Sequence, residues 1–333
     1  MRPLHFVDYR HVSGVPNVVV DGSATDNTRL TLSHWPSSPT PTDLLDDLSA
    51  QIVFRALADP SRFDGIEAVS NNHFDQDGLA SVFSLVRPEH ALAHRHQIVD
   101  VASAGDFGVS LDRDSMRIAM AIAAYDDPAR SPLDADVFAH GYAHQTAALY
   151  EALLPKFPEL LAHPESARRL WEDDDAHLTE CLEAIDRCEV ALVEEPEVDL
   201  AVCTLPEAWA AKAATRFTVG TMSVLHPAAL PHRTTRMRLL VSHGHQHRLE
   251  CRYETWVMYR SRKLTPRPDL RHLASRLDDI EGRGCWQADA PDALIPALTC
   301  DAEGSRLSHV DIVNEVRRFL ADAPPAWDPF TPR

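Results

Sequence analysis

The sequence has no run of about 18 apolar residues, the length a helix needs to cross a bilayer. Its first residues, MRPLHFVDYRHV, lack the apolar core of a secretory signal. Cysteine is sparse, at six in 333 residues, and none of Cys181, Cys188, Cys203, Cys251, Cys285 and Cys300 forms a CxxC pair. That argues against a zinc knuckle and a disulfide framework, and the thiols read as reduced and mostly buried in a cytoplasmic protein. There is no P-loop, no GxGxxG after a strand and no GxSxG elbow. Lysine is nearly missing: only Lys156, Lys212 and Lys263 stand among 32 cationic side chains, a bias that reads as GC-rich bacterial coding and not as function. Positive charge is short overall, for 50 acids bring the net charge to −18. A surface that acidic repels a long polyanion, so long nucleic acid is disfavoured as a partner. A small anionic substrate, nucleotides included, remains compatible if arginines line its pocket, and so does a metal site. A homodimer is left open.

What is present points to a globular α/β chain of one large or two ordinary domains, with 44% hydrophobic and 25% charged residues. PNVVVDG (16–22), TRLTLSHWP (28–36), FDGIEAVSNN (63–72) and IVDVASAGDFG (98–108) read as strands. Between them, TPTDLLDDLSAQIVFRALAD, with Thr42 or a neighbour as N-cap, LASVFSLV and EHALAHRHQ read as helices. Alternating strands and helices predict a Rossmann-like, mainly parallel sheet over residues 1–125. A helical connector is expected over 126–188, and a smaller C-terminal α+β domain over 189–333. Its strands are expected in FTVGTMSVL, TRMRLLVSHG and HRLECRYETWVMYRS, as an antiparallel sheet.

Each predicted strand of the first domain ends in an acid or a histidine: Asp21, His34, the group His73–Asp75–Asp77, and Asp106. In parallel sheets ligands bind at the carboxyl ends of strands, so these side chains are candidate metal ligands. On an extended chain, His73, Asp75 and Asp77 share a face; if the chain turns earlier, the acids point from the loop into the same cleft. Carboxylates with imidazole suit Mn²⁺ or Mg²⁺, one ion or two, with Zn²⁺ or Fe²⁺ as alternatives. Such ions activate water for phosphoester hydrolysis. Gly78 permits a tight turn into the helix, and Ser81 is expected in its first turn, where a phosphate can lodge.

HxDxDGLxS, here His73, Asp75, Asp77, Gly78, Leu79 and Ser81, resembles the first motif of the DHH phosphoesterase superfamily. The resemblance implies a Rossmann-like metal domain, a smaller substrate domain and two Mn²⁺ or Mg²⁺ ions. It also implies hydrolysis of phosphoester or phosphoanhydride bonds, with His73, Asp75 and Asp77 as ligands and Asp106 matching a later acid by position. It covers about a dozen residues closely, and the chain has no Asp-His-His triplet. The whole chain also resembles an uncharacterised bacterial family that shares NNHFDQDGL, which supplies no activity.

Other clusters are weighed against plain structural readings. In SHGHQH (242–247), His243, His245 and His247 alternate and would face one way on a strand, as ligands or substrate contacts. That supports an alternative, a metal-dependent amide-type hydrolase. His140 and His144 would pair on a helix. In RYETWVMYRSR (252–262), Arg252, Arg260 and Arg262 would share a strand face and bind the anion, with Glu254 as a structural partner. WEDDDAH (171–177) reads as a solvated acidic face. A third alternative is a non-catalytic relative that binds a nucleotide or a partner.

Overall fold

A computed structural model describes residues 2–210 and 224–331. The chain forms two compact units, Met1–Ala176 with Met258–Arg262, and His177–Val257 with Lys263–Arg333. The α/β class expected from the alternating pattern holds. The residues expected as a separate connector do not form a third unit, because most of them pack within the first. Leu149, Tyr150, Leu153 and Phe157 are all fully buried there, and Phe83 meets Phe157 edge to face at 5.0 Å.

In the first unit, β1 (His5–Phe6), β2 (Asn17–Val20), β3 (Thr28–Leu32) and β4 (Ala68–Ser70) form a parallel sheet in the order β1-β4-β2-β3. Val18, Val19 and Val20 are all fully buried, the continuous apolar run of a strand covered on both faces. The helices are α1 (Ser49–Leu57), α2 (Gln76–Val86), α3 (Pro88–Ala93), α4 (Arg95–Asp106), α5 (Arg113–Asp126), α6 (Tyr142–Leu153), α7 (Phe157–Ala162) and α8 (Arg168–Asp186), which runs on into the second unit.

Two expectations fail here for physical reasons. Residues 98–106 are not a strand but belong to α4: Ile98, Val101 and Ala102 are buried at helical spacing, so their packing overrides the strand preference of β-branched side chains. The fourth strand is instead the two-residue β1. Helix α1 starts at Ser49 and not near Thr42, because its cap comes from a distant carboxylate described below. The acids of 171–177 form a solvated face only in part: Glu172 and Asp173 are exposed, but Asp174 pairs with Arg130 and Asp175 with Arg113, each at 2.6 Å.

In the second unit, β5 (Ala191–Glu195), β6 (Leu200–Leu205), β7 (Arg238–His243), β8 (Gln246–Cys251), β9 (Trp286–Ala288) and β10 (Ala297–Cys300) form a sheet in the order β5-β6-β7-β8-β10-β9. The sheet is mixed and not antiparallel throughout, since β6 and β7 run parallel. Helices α9 (Leu270–Glu281) and α10 (His309–Asp322) bury Leu273, Leu277, Ile312, Val316 and Phe319 with Leu240, Leu249 and Leu298 of the strands. The strand expected at 217–225 lies mostly outside the described residues, and Val224 and Leu225 are in a turn and a bend.

The strand expected across 252–262 also fails. β8 ends at Cys251, and 253–255 make one tight turn. Arg252 is 6% exposed and Glu254 4%. The two form a buried ion pair, and Arg252 also donates to the Thr234 carbonyl at 3.1 Å. Arg252 is therefore scaffold and not a substrate contact. Removing one partner of a buried pair leaves charge uncompensated, so Arg252→Ala should lower unfolding free energy by about 3 kcal/mol. Denaturant titration checks this; a variant as stable as the parent would contradict the assignment. No helix among the described residues is long and apolar enough to cross a membrane.

Candidate metal centre

The carboxyl ends of β2, β3 and β4 deliver most of the site, as the parallel sheet predicts. Asp21 follows β2 with φ at +46°, a left-handed conformation that aspartate tolerates better than most residues. His34 follows β3 and is completely buried. After β4 the chain does not stay extended to Gly78. It turns at 71–74 so that Asp75 caps α2, accepting from the Gly78 N–H at 2.8 Å, and Asp77 sits in the first helical turn. His73, Asp75 and Asp77 thus converge from a loop and a helix start and not along one strand face. Asp106 joins them from the end of α4, the expected residue on an unexpected element.

Asp21 is the hub. Its Oδ1 lies 3.3 Å from His34 Nε2 and its Oδ2 lies 3.2 Å from His73 Nε2. His34 Nε2 also faces Asp106 Oδ2 at 3.6 Å and Asp77 Oδ2 at 4.0 Å. His73 Nε2 meets Asp75 Oδ2 at 2.8 Å. Two three-ligand groups result, Asp21–His34–Asp77 and Asp21–His73–Asp75, the ligand atoms of each within 4.8 Å of one another. The first is closed off from solvent, while the side chains of His73 and Asp75 keep 17% and 23% of their area exposed.

Gly78 is required by space. A Cβ there would come within 2.4 Å of Asn71 Nδ2 and 2.6 Å of the Tyr150 hydroxyl, which donates to the His73 carbonyl at 3.0 Å.

The charges of the cluster shift one another's proton affinities. Burial alone would raise Asp21, but His73 and His34 outweigh it and hold its carboxyl far below the usual range. Burial, then the charge of Asp21, pushes Asp77 up to about 7, against the pull of His34. Burial and the charges of Asp77, Asp75 and Asp21 raise Asp106 well above its ordinary value. Burial disfavours the charged form of both histidines, yet the surrounding carboxylates win and raise each. Asp106 Oδ2 and His73 Nδ1 are buried without a hydrogen-bond partner among the described residues. Four carboxylates crowd two imidazoles in a dry place, so without an ion the cluster retains protons, and a divalent ion could take their place as the compensating charge. The oxygen-rich donor set fits Mn²⁺ or Mg²⁺.

The remaining candidates fare differently. Ser81 lies in the second turn of α2 and is 0% exposed, so it does not present a hydroxyl at the helix start. SHGHQH is a hairpin and not a strand: Gly244, at φ +57°, makes the two-residue turn with His245, and His243 pairs with Gln246. The turn puts His243 and His247 on opposite faces of the hairpin, with His245 in the turn itself. His247 Nδ1 instead meets Ser242 Oγ at 2.8 Å, and burial, with His309 nearby, lowers its pKa to about 4. His140 precedes α6 and pairs with Asp136 at the surface, while His144 is on the helix; their rings still meet edge to face at 5.2 Å. Arg260 is exposed and Arg262 half-buried, both within Met258–Arg262 of the first unit.

Sequence reading missed Asp47 and Ser49. Ser49 Oγ donates to Asp21 Oδ1 at 2.8 Å, and the N–H groups of Ser49 and Ala50 donate to the two oxygens of Asp77, each at 2.7 Å. The signal was the string DDLSAQ, cap-forming residues just ahead of an apolar helical run, hidden by equally good cap candidates upstream.

A family described as "Family of unknown function (DUF6687)" matches residues 2–331. No curated protein and no solved structure matches.

Proposed function

We propose, for a chain that belongs to the DUF6687 family, that the cluster is the active site of a divalent-metal-dependent hydrolase acting on phosphoester or phosphoanhydride bonds of a small anionic substrate. The observation that carries this reading is the shared aspartate: Asp21 offers one oxygen to each of two acid–histidine groups. A pair of divalent ions supplies charge neutralisation and activated water, the chemistry such hydrolysis needs. His34, Asp77 and Asp21 would hold one position, with Asp106 beside His34. His73, Asp75 and Asp21 would hold the other. The second group keeps solvent access, so a substrate would approach from the side of His73 and Asp75. The likeness of HxDxDG to the DHH phosphoesterases supports the same chemistry. Asp21 and His34 supply an acid and an imidazole beside that motif, although the chain lacks the Asp-His-His triplet. Arg260 and Arg262 are proposed as anion contacts, and Arg252 is not. The histidine hairpin carries no second reading.

The test has two arms. Calorimetry should show Mn²⁺ binding to metal-stripped protein, weakened by roughly tenfold or more in Asp75→Asn, which removes a carboxylate ligand of the partly open group. A panel of phosphomonoester, phosphodiester and pyrophosphate substrates should then give Mn²⁺-dependent turnover that Asp75→Asn loses. Absence of Mn²⁺ binding by the parent defeats the metal reading. Binding without turnover on any panel member defeats the phosphate chemistry.

A further inference from the structure

His34 is anchored on its far side as carefully as on its near side. Its Nδ1 lies 2.6 Å from the main-chain carbonyl of Asp47, so Nδ1–H donates there and Nε2 is left to face Asp21, Asp106 and Asp77. A carbonyl in that position fixes the tautomer and ring angle of a metal-binding histidine. The His34 N–H donates to Ser49 Oγ at 3.2 Å, and the His34 carbonyl accepts from the Met258 N–H at 2.8 Å.

Asp47 has a second attachment. Its carboxylate is 7% exposed and accepts from the N–H of Arg260 at 2.5 Å, the N–H of Ser261 at 2.9 Å and the Ser261 hydroxyl. Three donors on one buried carboxylate fasten residues 258–262, which lie more than 200 positions later in the sequence, to the turn that holds His34. The same segment sets Tyr259 against Phe107, ring centroids 5.8 Å apart, and Phe107 directly follows Asp106. The segment thus braces both His34 and the end of α4.

We propose that Asp47 is a positioning residue of the metal centre: its carbonyl aims His34, and its carboxylate seats residues 258–262, with Arg260 among them, against the same histidine. The inference rests on the metal reading above. Its consequence is that the segment bearing the proposed anion contact and the ring bearing a metal ligand share one support. Loosening the carboxylate therefore loosens the metal. A residue that merely stabilised the fold would not have that effect on folded protein.

The experiment uses the full chain stripped of metal. Mn²⁺ affinity is measured by calorimetry for the parent, Asp47→Ala, Asp47→Asn and Ser261→Ala, and the ring-nitrogen shifts of His34 are recorded by NMR in the metal-free proteins. Asp47→Ala should lower Mn²⁺ affinity roughly tenfold to hundredfold, the range seen when outer partners of ligands are lost. Asp47→Asn should lose less, because an amide oxygen still accepts from the 260 and 261 N–H groups. At a pH high enough to leave the ring neutral, His34 should carry its proton on Nδ1 in the parent and lose that uniform signature in Asp47→Ala. A folded Asp47→Ala with reduced thermal midpoint but unchanged Mn²⁺ affinity and His34 shifts overturns the proposal. If Asp47→Ala does not fold, Ser261→Ala decides: a loss of about threefold or more, a fraction of the tenfold-or-greater effect above, supports the link, and parental affinity overturns it. A parent that binds no Mn²⁺ fails the metal reading itself and takes this inference with it.

Discussion

Asp21→Asn is expected to weaken Mn²⁺ binding by on the order of a hundredfold or more, beyond the tenfold to hundredfold typical of outer partners, and to impair both metal positions together. The other ligands serve one group each, whereas Asp21 presents Oδ1 to His34 and Oδ2 to His73. The substitution is clean for a backbone reason. Residue 21 sits at φ +46°, and asparagine adopts that region about as readily as aspartate, while alanine there is strained. Loss of affinity in Asp21→Asn therefore reports the missing charge and oxygen, not a broken turn. Ser49 Oγ can still donate to the amide oxygen, which keeps the local hydrogen bond. Calorimetry should show the loss across the whole isotherm, and Asp75→Asn should by contrast spare the buried group. If Asp21→Asn binds Mn²⁺ as tightly as Asp75→Asn does, the shared-ligand geometry is not how the protein holds metal.

The site was readable in sequence where chemistry and chain direction coincide. Asp21, His34 and the HFDQDG stretch all follow short apolar runs, and strands β2, β3 and β4 do end just before them. What could not be read is set by contacts between distant residues. Helix α1 begins at Ser49 because Asp77, 27 and 28 positions later, accepts from the Ala50 and Ser49 N–H groups. DDLSAQ is a local cap signal, but nothing in it announces the remote acceptor that selects it, so Thr42 looked as good. The same holds for Asp47, whose carboxylate partners are residues 260 and 261. In the second unit the misreadings are turns. A glycine in a strand-like run marks either a bulge or a hairpin, and the two-residue turn at Gly244 and His245 reverses the faces that alternation assigned to the histidines. In RYETWVMYRSR the alternation of aromatic and charged residues imitates a strand, but the Arg252–Glu254 pair is satisfied across a tight turn.

Asp106 was expected on a strand and sits on a helix, and its setting gives the second large prediction. Asp106→Asn should stabilise the metal-free protein, by about 1–2 kcal/mol near neutral pH, the usual gain from relieving a strained functional site. It should at the same time weaken Mn²⁺ binding by roughly tenfold or more, as when groups around a metal are removed. The stabilisation follows from burial and from three neighbouring carboxylates, which raise the pKa of Asp106 well above its ordinary value of 3.8. The sign is fixed by proton counts. Above pH 3.8 the unfolded chain has released this proton while the native protein still holds it, so native stability falls as pH rises through the window up to the native pKa. Asparagine carries no such proton, and the variant's advantage should be absent near pH 3, grow upward and then level off. Asp106 Oδ2 accepts no hydrogen bond among the described residues, so the amide forfeits no donor contact there. With excess Mn²⁺ the variant's advantage should shrink or reverse, because the ion stabilises the parent over the variant by about 1.4 kcal/mol for each tenfold difference in affinity. Denaturant titrations of both proteins from pH 4 to 8, with chelator and then with excess Mn²⁺, read the two effects separately. A variant less stable than the parent in chelator at pH 7 would show that Asp106 is held by the fold for structure and not kept under strain for a cation.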